Sequence, residues 1–191
     1  MEERGNSLVY FQNSNPYGVP LSAWTGKWWK WIRSIPKEIN PAFDTTGQYC
    51  NAFQPYPNVW FLAGTFGGSV IRFCTLPYGK ALFFPIITSV FSFVEDPDLK
   101  TEDDLIGAAR KDTDTVKRLD LVVDDVSFVQ LDKFRVSSGV FDDVINGVQT
   151  KSVSDGFWIF LKPFHVGTHR IYFIGENIDF FNQVTYHISI V

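Results

Sequence analysis

The chain has 191 residues, of which 45% are hydrophobic and 17% are aromatic. This composition excludes a disordered protein over most of the length, and the length suits one domain with its own core. The formal net charge is −4 at pH 7. Because nucleic-acid binding depends on neutralising phosphates, this charge argues against a nucleic-acid partner. We therefore expect one globular domain over residues 1–191.

Residues 1–20 are polar and interrupted by Gly and Pro, which predicts an extended arm. A helix is predicted over residues 22–35, and Pro36 ends it because the residue before proline is forced out of the α region. The large apolar residues of this helix fall on one stripe at helical spacing, which predicts packing on a sheet. The stripe consists of Trp24, Trp28, Trp31, Ile32 and Ile35.

Trp29 lies outside this stripe, four residues before Arg33. Two interpretations stay open: Arg33 stacks on the indole at the edge of the core, or Trp29 anchors a ligand or a protein partner. The helix also carries three cations and no acid, so peripheral contact with a membrane surface is a third interpretation. The candidate ligand-binding set joins Trp29 and Arg33 to three rings of the next loop, Tyr49, Phe53 and Tyr56.

Three short apolar segments predict strands at residues 59–63, 69–75 and 80–86, because they are rich in Val, Ile and Phe and separated by glycine-containing turns. We expect them to form an antiparallel meander. A second helix is predicted over residues 101–116, and Thr101 with Asp104 fits a capping box at its start.

The remaining segments again predict strands, and the last alternates, with Val184, Tyr186, Ile188 and Ile190 facing inward. The sequence thus predicts a mainly β protein. We expect an antiparallel β-sandwich, immunoglobulin-like or jelly-roll-like, with an N-terminal Trp-rich amphipathic helix and a second, inserted helix.

The chain has two cysteines, Cys50 and Cys74, which either pair or remain buried free thiols. His165 and His169 bracket a turn, and together with Asp155 they would form a facial metal site if the fold bends there. The alternative is that both are turn residues whose rings hydrogen bond to the backbone.

No standard catalytic motif is found. Gly64-Thr65-Phe66-Gly67-Gly68 has neither the spacing of a dinucleotide-binding loop nor that of a P-loop, and the chain contains no H-E-x-x-H or G-x-S-x-G. We therefore expect no cofactor and favour a protein that is not an enzyme. The most apolar segment, residues 81–94, is too short to span a bilayer and contains a proline, so no transmembrane helix is predicted.

Several linked motifs resemble a family of uncharacterised bacterial and archaeal proteins, mostly expected to be exported. They are WWKW at 28–31, DTTGQYC at 44–50, VWFLAGTFGG at 59–68, LPYGKALFFP at 76–85 and DGFWIFLKPF at 155–164. The resemblance implies an extracellular or cell-envelope β-rich domain in which Cys50 and Cys74 form a disulfide, and it carries no catalytic residue. The N-terminus lacks the pattern of a secretory signal, so a cytoplasmic location also stays open.

Three functional hypotheses follow from these observations. The first is a non-enzymatic binding or surface module for a glycan, a cell-envelope polymer or a protein partner. The second is a metal-dependent enzyme that uses His165, His169 and Asp155. The third is a structural subunit that docks through the Trp-rich helix. The sequence does not fix the oligomeric state.

Overall fold

The computed structural model describes Gly5 and residues 7–191, and this part of the chain contains nine strands and two complete α-helices, while Gly5, Ser7 and Leu8 are also helical. The helices are α1 Leu21–Ser34 and α2 Glu102–Thr113. The strands are β1 Val59–Phe61, β2 Gly68–Leu76, β3 Ala81–Ser92, β4 Arg118–Val123, β5 Val126–Ser127, β6 Arg135–Ile145, β7 Val148–Leu161, β8 Gly167–Glu176 and β9 Phe181–Ile190.

Two sheets lie face to face. The four-stranded sheet has the order β1-β3-β7-β6 and the five-stranded sheet has the order β2-β9-β8-β4-β5. Apolar side chains of both sheets fill the space between them, as where Phe84 of β3 stacks on Phe173 of β8 with ring centroids 5.2 Å apart. The inward-facing residues of β9 are buried as predicted. The predicted β-sandwich with two helices is confirmed.

Helix α1 covers the outer face of the four-stranded sheet, which is therefore the middle layer of the protein. The Trp stripe of α1 packs on this face, as the periodicity predicted, and Trp28 contacts Trp158 of β7 edge-on with ring centroids 5.5 Å apart. Helix α2 covers part of the opposite face, beside the five-stranded sheet, because Leu105 and Ala109 pack on Val153, and alternation along β7 places Val153 on the same side as Ile159. The capping box at its start is confirmed, since Thr101 and Asp104 hydrogen bond to each other's backbone N–H.

The predicted antiparallel meander is wrong. β1 and β3 are neighbours in the four-stranded sheet and run parallel, whereas β2 lies in the other sheet and runs parallel to β9. The chain changes sheet at Gly67 and Gly68, whose φ values of +104° and +81° a side chain would disfavour. A parallel neighbour pair requires such a crossover connection, which the short apolar segments alone do not reveal.

The N-terminal arm is predicted over residues 1–20, and residues 1–4 and 6 of it lie outside the described residues. The described part follows the end of β7. Val9 forms an antiparallel bridge with Leu161, and Tyr10 N–H donates to the Phe160 carbonyl at 2.9 Å. The arm therefore extends the hydrogen bonding of the four-stranded sheet beyond the four strands.

A β-bulge interrupts strand β3 at Ile86. Pro85 pairs with Trp158, but Ile87 pairs with the preceding residue of β7, so Ile86 is the extra residue. The bulge leaves its carbonyl outside the ladder, and Asn182 Nδ2 donates to that carbonyl at 2.6 Å. The backbone at the bulge packs closely against two glycines, where any larger residue would place a Cβ against it. A Cβ on Gly156 would lie 2.5 Å from the Ile87 carbonyl oxygen, and one on Gly175 would lie 2.7 Å from the Ile86 oxygen.

Replacing Gly156 by alanine should lower the free energy of unfolding by about 3 kcal/mol, because the added methyl group meets backbone that can move only if the bulge moves. The control is Gly107→Ala in α2, where an added Cβ meets nothing within 4 Å. That change should raise the free energy of unfolding by about 0.5 kcal/mol. Urea unfolding measures both, and equal stability of the two variants would contradict the tight fit at the bulge.

Candidate functional site

A cleft of about 290 Å³ opens at the bulge, between α1, the end of α2 and the turn that joins β8 to β9. We call it the bulge cleft. Bulges interrupt regular packing and are common beside functional sites. The lining residues are Trp28, Trp29, Ile32, Ala42, Gly64, Thr65, Phe66, Pro85, Ile86, Ile87, Thr88, Asp112, Asn177, Asp179, Phe180 and Asn182.

One wall of the bulge cleft is the half-buried indole of Trp29. Its Nε1–H donates to Ser154 Oγ at 2.9 Å, and the Ser154 and Thr88 hydroxyls are 3.0 Å apart. Thr88 in turn donates to the Asp155 carbonyl at 3.0 Å. The ring also meets Trp28 edge-on, with centroids 5.2 Å apart. These contacts hold the indole in one orientation, as a preformed binding surface requires.

The opposite wall is the loop that follows β1. Thr65 N–H donates to Asn182 Oδ1 at 3.1 Å, so the residue that satisfies the bulge also fixes this loop. Phe66 is 60% exposed and stacks on Phe43 with ring centroids 4.6 Å apart. The bulge cleft therefore has an exposed aromatic ring facing its mouth and a fixed indole on the other side.

Arg72 of β2 holds the two loops of this region together. The side chain is 1% exposed and forms no ion pair with a described carboxylate. Its guanidinium instead donates to the carbonyls of Asp44, Ala63 and Gly64 at 2.7 to 2.9 Å. It also donates to the Tyr186 hydroxyl at 2.7 Å. A buried cation is tolerated only when its donors are satisfied, and here backbone oxygens do so.

The electrostatics around Arg72 follow from burial. Burial raises the pKa of Tyr186 to about 12, although the neighbouring Arg72 acts in the opposite direction. Burial alone would also raise the pKa of Asp44. Hydrogen bonds from the backbone N–H groups of Tyr49 and Thr46, and from the Thr46 hydroxyl, outweigh it and lower that pKa. Asp44 thereby organises the loop whose carbonyl Arg72 binds.

Two carboxylates line the bulge cleft without a partner. Asp112, in the last turn of α2, and Asp179, in the β8–β9 turn, form no side-chain hydrogen bond or ion pair with any described residue. Asp112 is half-buried and Asp179 is exposed. Of the described residues that line the bulge cleft, none is Lys, Arg or His. The cleft is thus aromatic and apolar with a negative rim.

The structure divides the predicted ligand-binding set into two groups. Trp29 and Arg33 lie together on one flank of α1, with the guanidinium 5.3 Å from the centre of the indole. Arg33 is also bound to Asp143, at 2.5 Å, and to Glu95. Arg33 therefore stacks on one part of the Trp29 indole at the edge of the core. Another part of the ring remains exposed.

The other three residues of the set lie elsewhere. Tyr56 packs edge-on against Trp24 with ring centroids 4.9 Å apart, and it contacts Lys27, which is on the flank of α1 opposite Trp29. Tyr49 is half-buried and its N–H binds Asp44, while Phe53 is 65% exposed. Sequence reasoning missed Phe66, Phe180, Asp112 and Asp179, because only the fold brings their segments to one place.

The structure does not bring His165, His169 and Asp155 together as a metal site. The two histidine rings do meet, with centroids 4.5 Å apart. However, His169 Nδ1 binds Asp124 at 2.9 Å and its Nε2 lies 3.0 Å from the His165 carbonyl, so both nitrogens are engaged. Asp155 binds Arg135 at 2.9 Å instead. No group of three His, Cys, Asp or Glu side chains within residues 5 and 7–191 is placed to hold a metal ion.

The disulfide implied by the family resemblance is not formed. Cys50 and Cys74 are buried free thiols, which is the other alternative that the residues left open. Their side chains hydrogen bond to each other, and this bond, with burial, raises the pKa of Cys74. Cys74 Sγ also lies 4.0 Å from the Gly47 carbonyl. Each thiol therefore has a partner in the core without a covalent bond.

Contact of the Trp-rich helix with a membrane or a partner subunit stays a prediction, and the buried Trp stripe is not a surface available for it. Trp24, Trp28 and Trp31 are at most 4% exposed because they pack on the four-stranded sheet. The apolar stripe is therefore already covered. In the described part of the chain, no helix has the length and apolar content to cross a bilayer.

Comparison with known proteins gives distant structural similarity only. No protein-family model and no curated protein matches the sequence. A cysteine protease inhibitor from Entamoeba histolytica is similar over 70% of this chain and 96% of its own, with 10% identity and a TM-score of 0.29. Amebosin is similar over 71% of this chain and 100% of its own, with 11% identity and a TM-score of 0.26. The resemblance to an exported family stays a prediction.

Replacing Arg72 by methionine should lower the free energy of unfolding by about 4 kcal/mol, because it leaves buried carbonyls of two loops without a donor. The matched control is Arg118→Met, whose side chain is half exposed and pairs with Asp120 at the surface. That change should alter stability by less than about 0.5 kcal/mol. Denaturant unfolding of both variants checks this, and equal losses would show that Arg72 is not a structural centre.

Proposed function

We propose that this protein is a non-enzymatic binding module that holds part of a glycan in the bulge cleft. The observation that carries the proposal is the half-exposed indole of Trp29, fixed by its bond to Ser154 at the wall of the largely apolar cleft. A sugar ring has an apolar face of C–H groups and an edge of hydroxyls. Trp29 and Phe66 suit the face, while Thr88, Asn177 and the two carboxylates suit the edge.

A second depression continues the bulge cleft along α1. It has a volume of about 430 Å³ and shares Trp29, Ile32 and Phe66 with the cleft. Its lining also includes Phe43, two acidic residues and two basic residues, which are Glu95, Asp96, Arg33 and Lys37. Two adjoining depressions that share aromatic walls suit a chain of sugar units better than one free monosaccharide.

The arrangement of the carboxylates favours binding over hydrolysis. A glycosidase uses two carboxyl groups across the scissile bond, and its acid lies in an apolar pocket that keeps it protonated. Asp179 is exposed to solvent, and Asp112 lies in the last turn of a helix at the cleft rim. As part of this proposal we place the protein in the cell envelope, where such polymers occur and where the family resemblance implies export.

The test is isothermal titration calorimetry with soluble oligomers of glucose, N-acetylglucosamine and glucosamine. At least one oligomer should bind, and Phe66→Ala should weaken that binding about tenfold, which corresponds to about 1.4 kcal/mol of lost contact. Trp29→Ala should weaken it further because the fixed wall is removed. Phe53→Ala, which removes an exposed ring outside the cleft, is the matched control and should bind as the unmodified protein does.

Thermal unfolding of each variant separates lost binding from lost folding, and Phe66 is chosen because its side chain is largely exposed. Binding that survives both cleft substitutions, or that Phe53→Ala weakens as much as Phe66→Ala does, would place the glycan elsewhere. Failure of every oligomer to bind would contradict the glycan proposal. Shortening of an oligomer during the titration would contradict the non-enzymatic assignment.

A further inference from the structure

The charges of the bulge cleft are unbalanced. Asp112 and Asp179 have no partner among the described residues, and the described lining contains no cation. Two basic residues line the adjoining depression, but Arg33 binds Asp143 and Glu95, and Lys37 lies 5.1 Å from the centre of the Phe43 ring. No side chain in the described chain therefore forms an ion pair with Asp112 or Asp179.

The position of Asp112 has a cost to folding. The C-terminal end of a helix carries partial negative charge, so an acidic side chain in the last turn is unfavourable there. Arg110 and Lys111 in the same turn offset this charge along the helix, but neither forms an ion pair with Asp112. An acidic side chain that stays unpaired at such a position is a candidate for a functional role.

We infer that the group entering the bulge cleft is an ammonium ion, and that the glycan is one with free amino groups. This inference rests on the proposed glycan-binding function. An ammonium ion can donate hydrogen bonds to carboxylates while its apolar skeleton lies on aromatic rings, whose faces attract cations. Asp112 and Asp179 provide the carboxylates, and Trp29, Phe66 and Phe180 provide the rings.

A lysine-rich peptide carries the same charge, but the lining does not suit a peptide backbone. Peptides that bind to β-proteins pair with free backbone N–H and C=O groups along a strand edge. At the bulge cleft, Asn182 already binds the Ile86 carbonyl and the Thr65 N–H. The unpaired carboxylates of the lining are side-chain acceptors, which suit the amino groups of a sugar.

The experiment compares three neutral or charged oligomers of equal length by calorimetry at mildly acidic pH, where amino sugars are protonated. Glucosamine oligomers should bind about tenfold more tightly than N-acetylglucosamine or glucose oligomers. Asp112→Asn and Asp179→Asn should each reduce the affinity for the glucosamine oligomer about fivefold more than they reduce the affinity for neutral oligomers, because only the glucosamine oligomer loses a charged partner. Asp103→Asn removes the same charge from α2 outside the cleft and should change neither affinity.

The outcomes separate this inference from the proposed function. Equal affinity for charged and neutral oligomers, still lost in Phe66→Ala, would overturn the inference and leave the glycan-binding module in place. Affinity for oligolysine but not for any sugar oligomer would overturn the glycan source and with it the proposed function. An equal loss in Asp103→Asn would show a long-range charge effect and overturn the assignment of Asp112 and Asp179.

Discussion

The arrangement of this protein's surface depends on one irregularity, the bulge at Ile86 in the middle layer. In a regular β3, each residue would pair with one residue of β7, and the regular packing would not open a cleft at this point. The bulge removes one carbonyl from the ladder, and burial makes an unpaired carbonyl costly, so Asn182 must reach it. The same amide side chain fixes Thr65 and thereby the loop that carries Phe66.

Arg72 provides the second fixed point. It lies in a strand of the five-stranded sheet, but it binds the carbonyls of Asp44 and Gly64, which belong to two separate loops. The loop wall of the bulge cleft is therefore tied to the sandwich through both Asn182 and Arg72, while Ser154 fixes Trp29 on the other wall. A binding surface made of loops gains affinity when its loops are ordered before the ligand arrives, because less conformational entropy is lost on binding.

Much of the fold could be predicted from local patterns. The stripe of α1, the capping box of α2 and the alternation of β9 are encoded within short stretches, and each is found. β2 shows where local patterns fail: Arg72 is 1% exposed, while its apolar neighbours Ile71 and Phe73 are 57% and 66% exposed. Hydropathy instead predicts an exposed arginine between two buried apolar side chains. The carbonyls that accept Arg72 come from distant loops, so only the assembled fold reveals them.

The candidate site was predictable only in part, because Trp29 stood out from its helix whereas Asp112, Asp179 and Phe66 come from three separate segments. The most direct test of the account is an NMR titration that follows the tryptophan indole N–H signals as a glucosamine oligomer is added. The account predicts a large shift at Trp29 and little change at Trp24 and Trp31, which donate to backbone carbonyls away from the cleft. Saturation of binding without any change at Trp29 would contradict it.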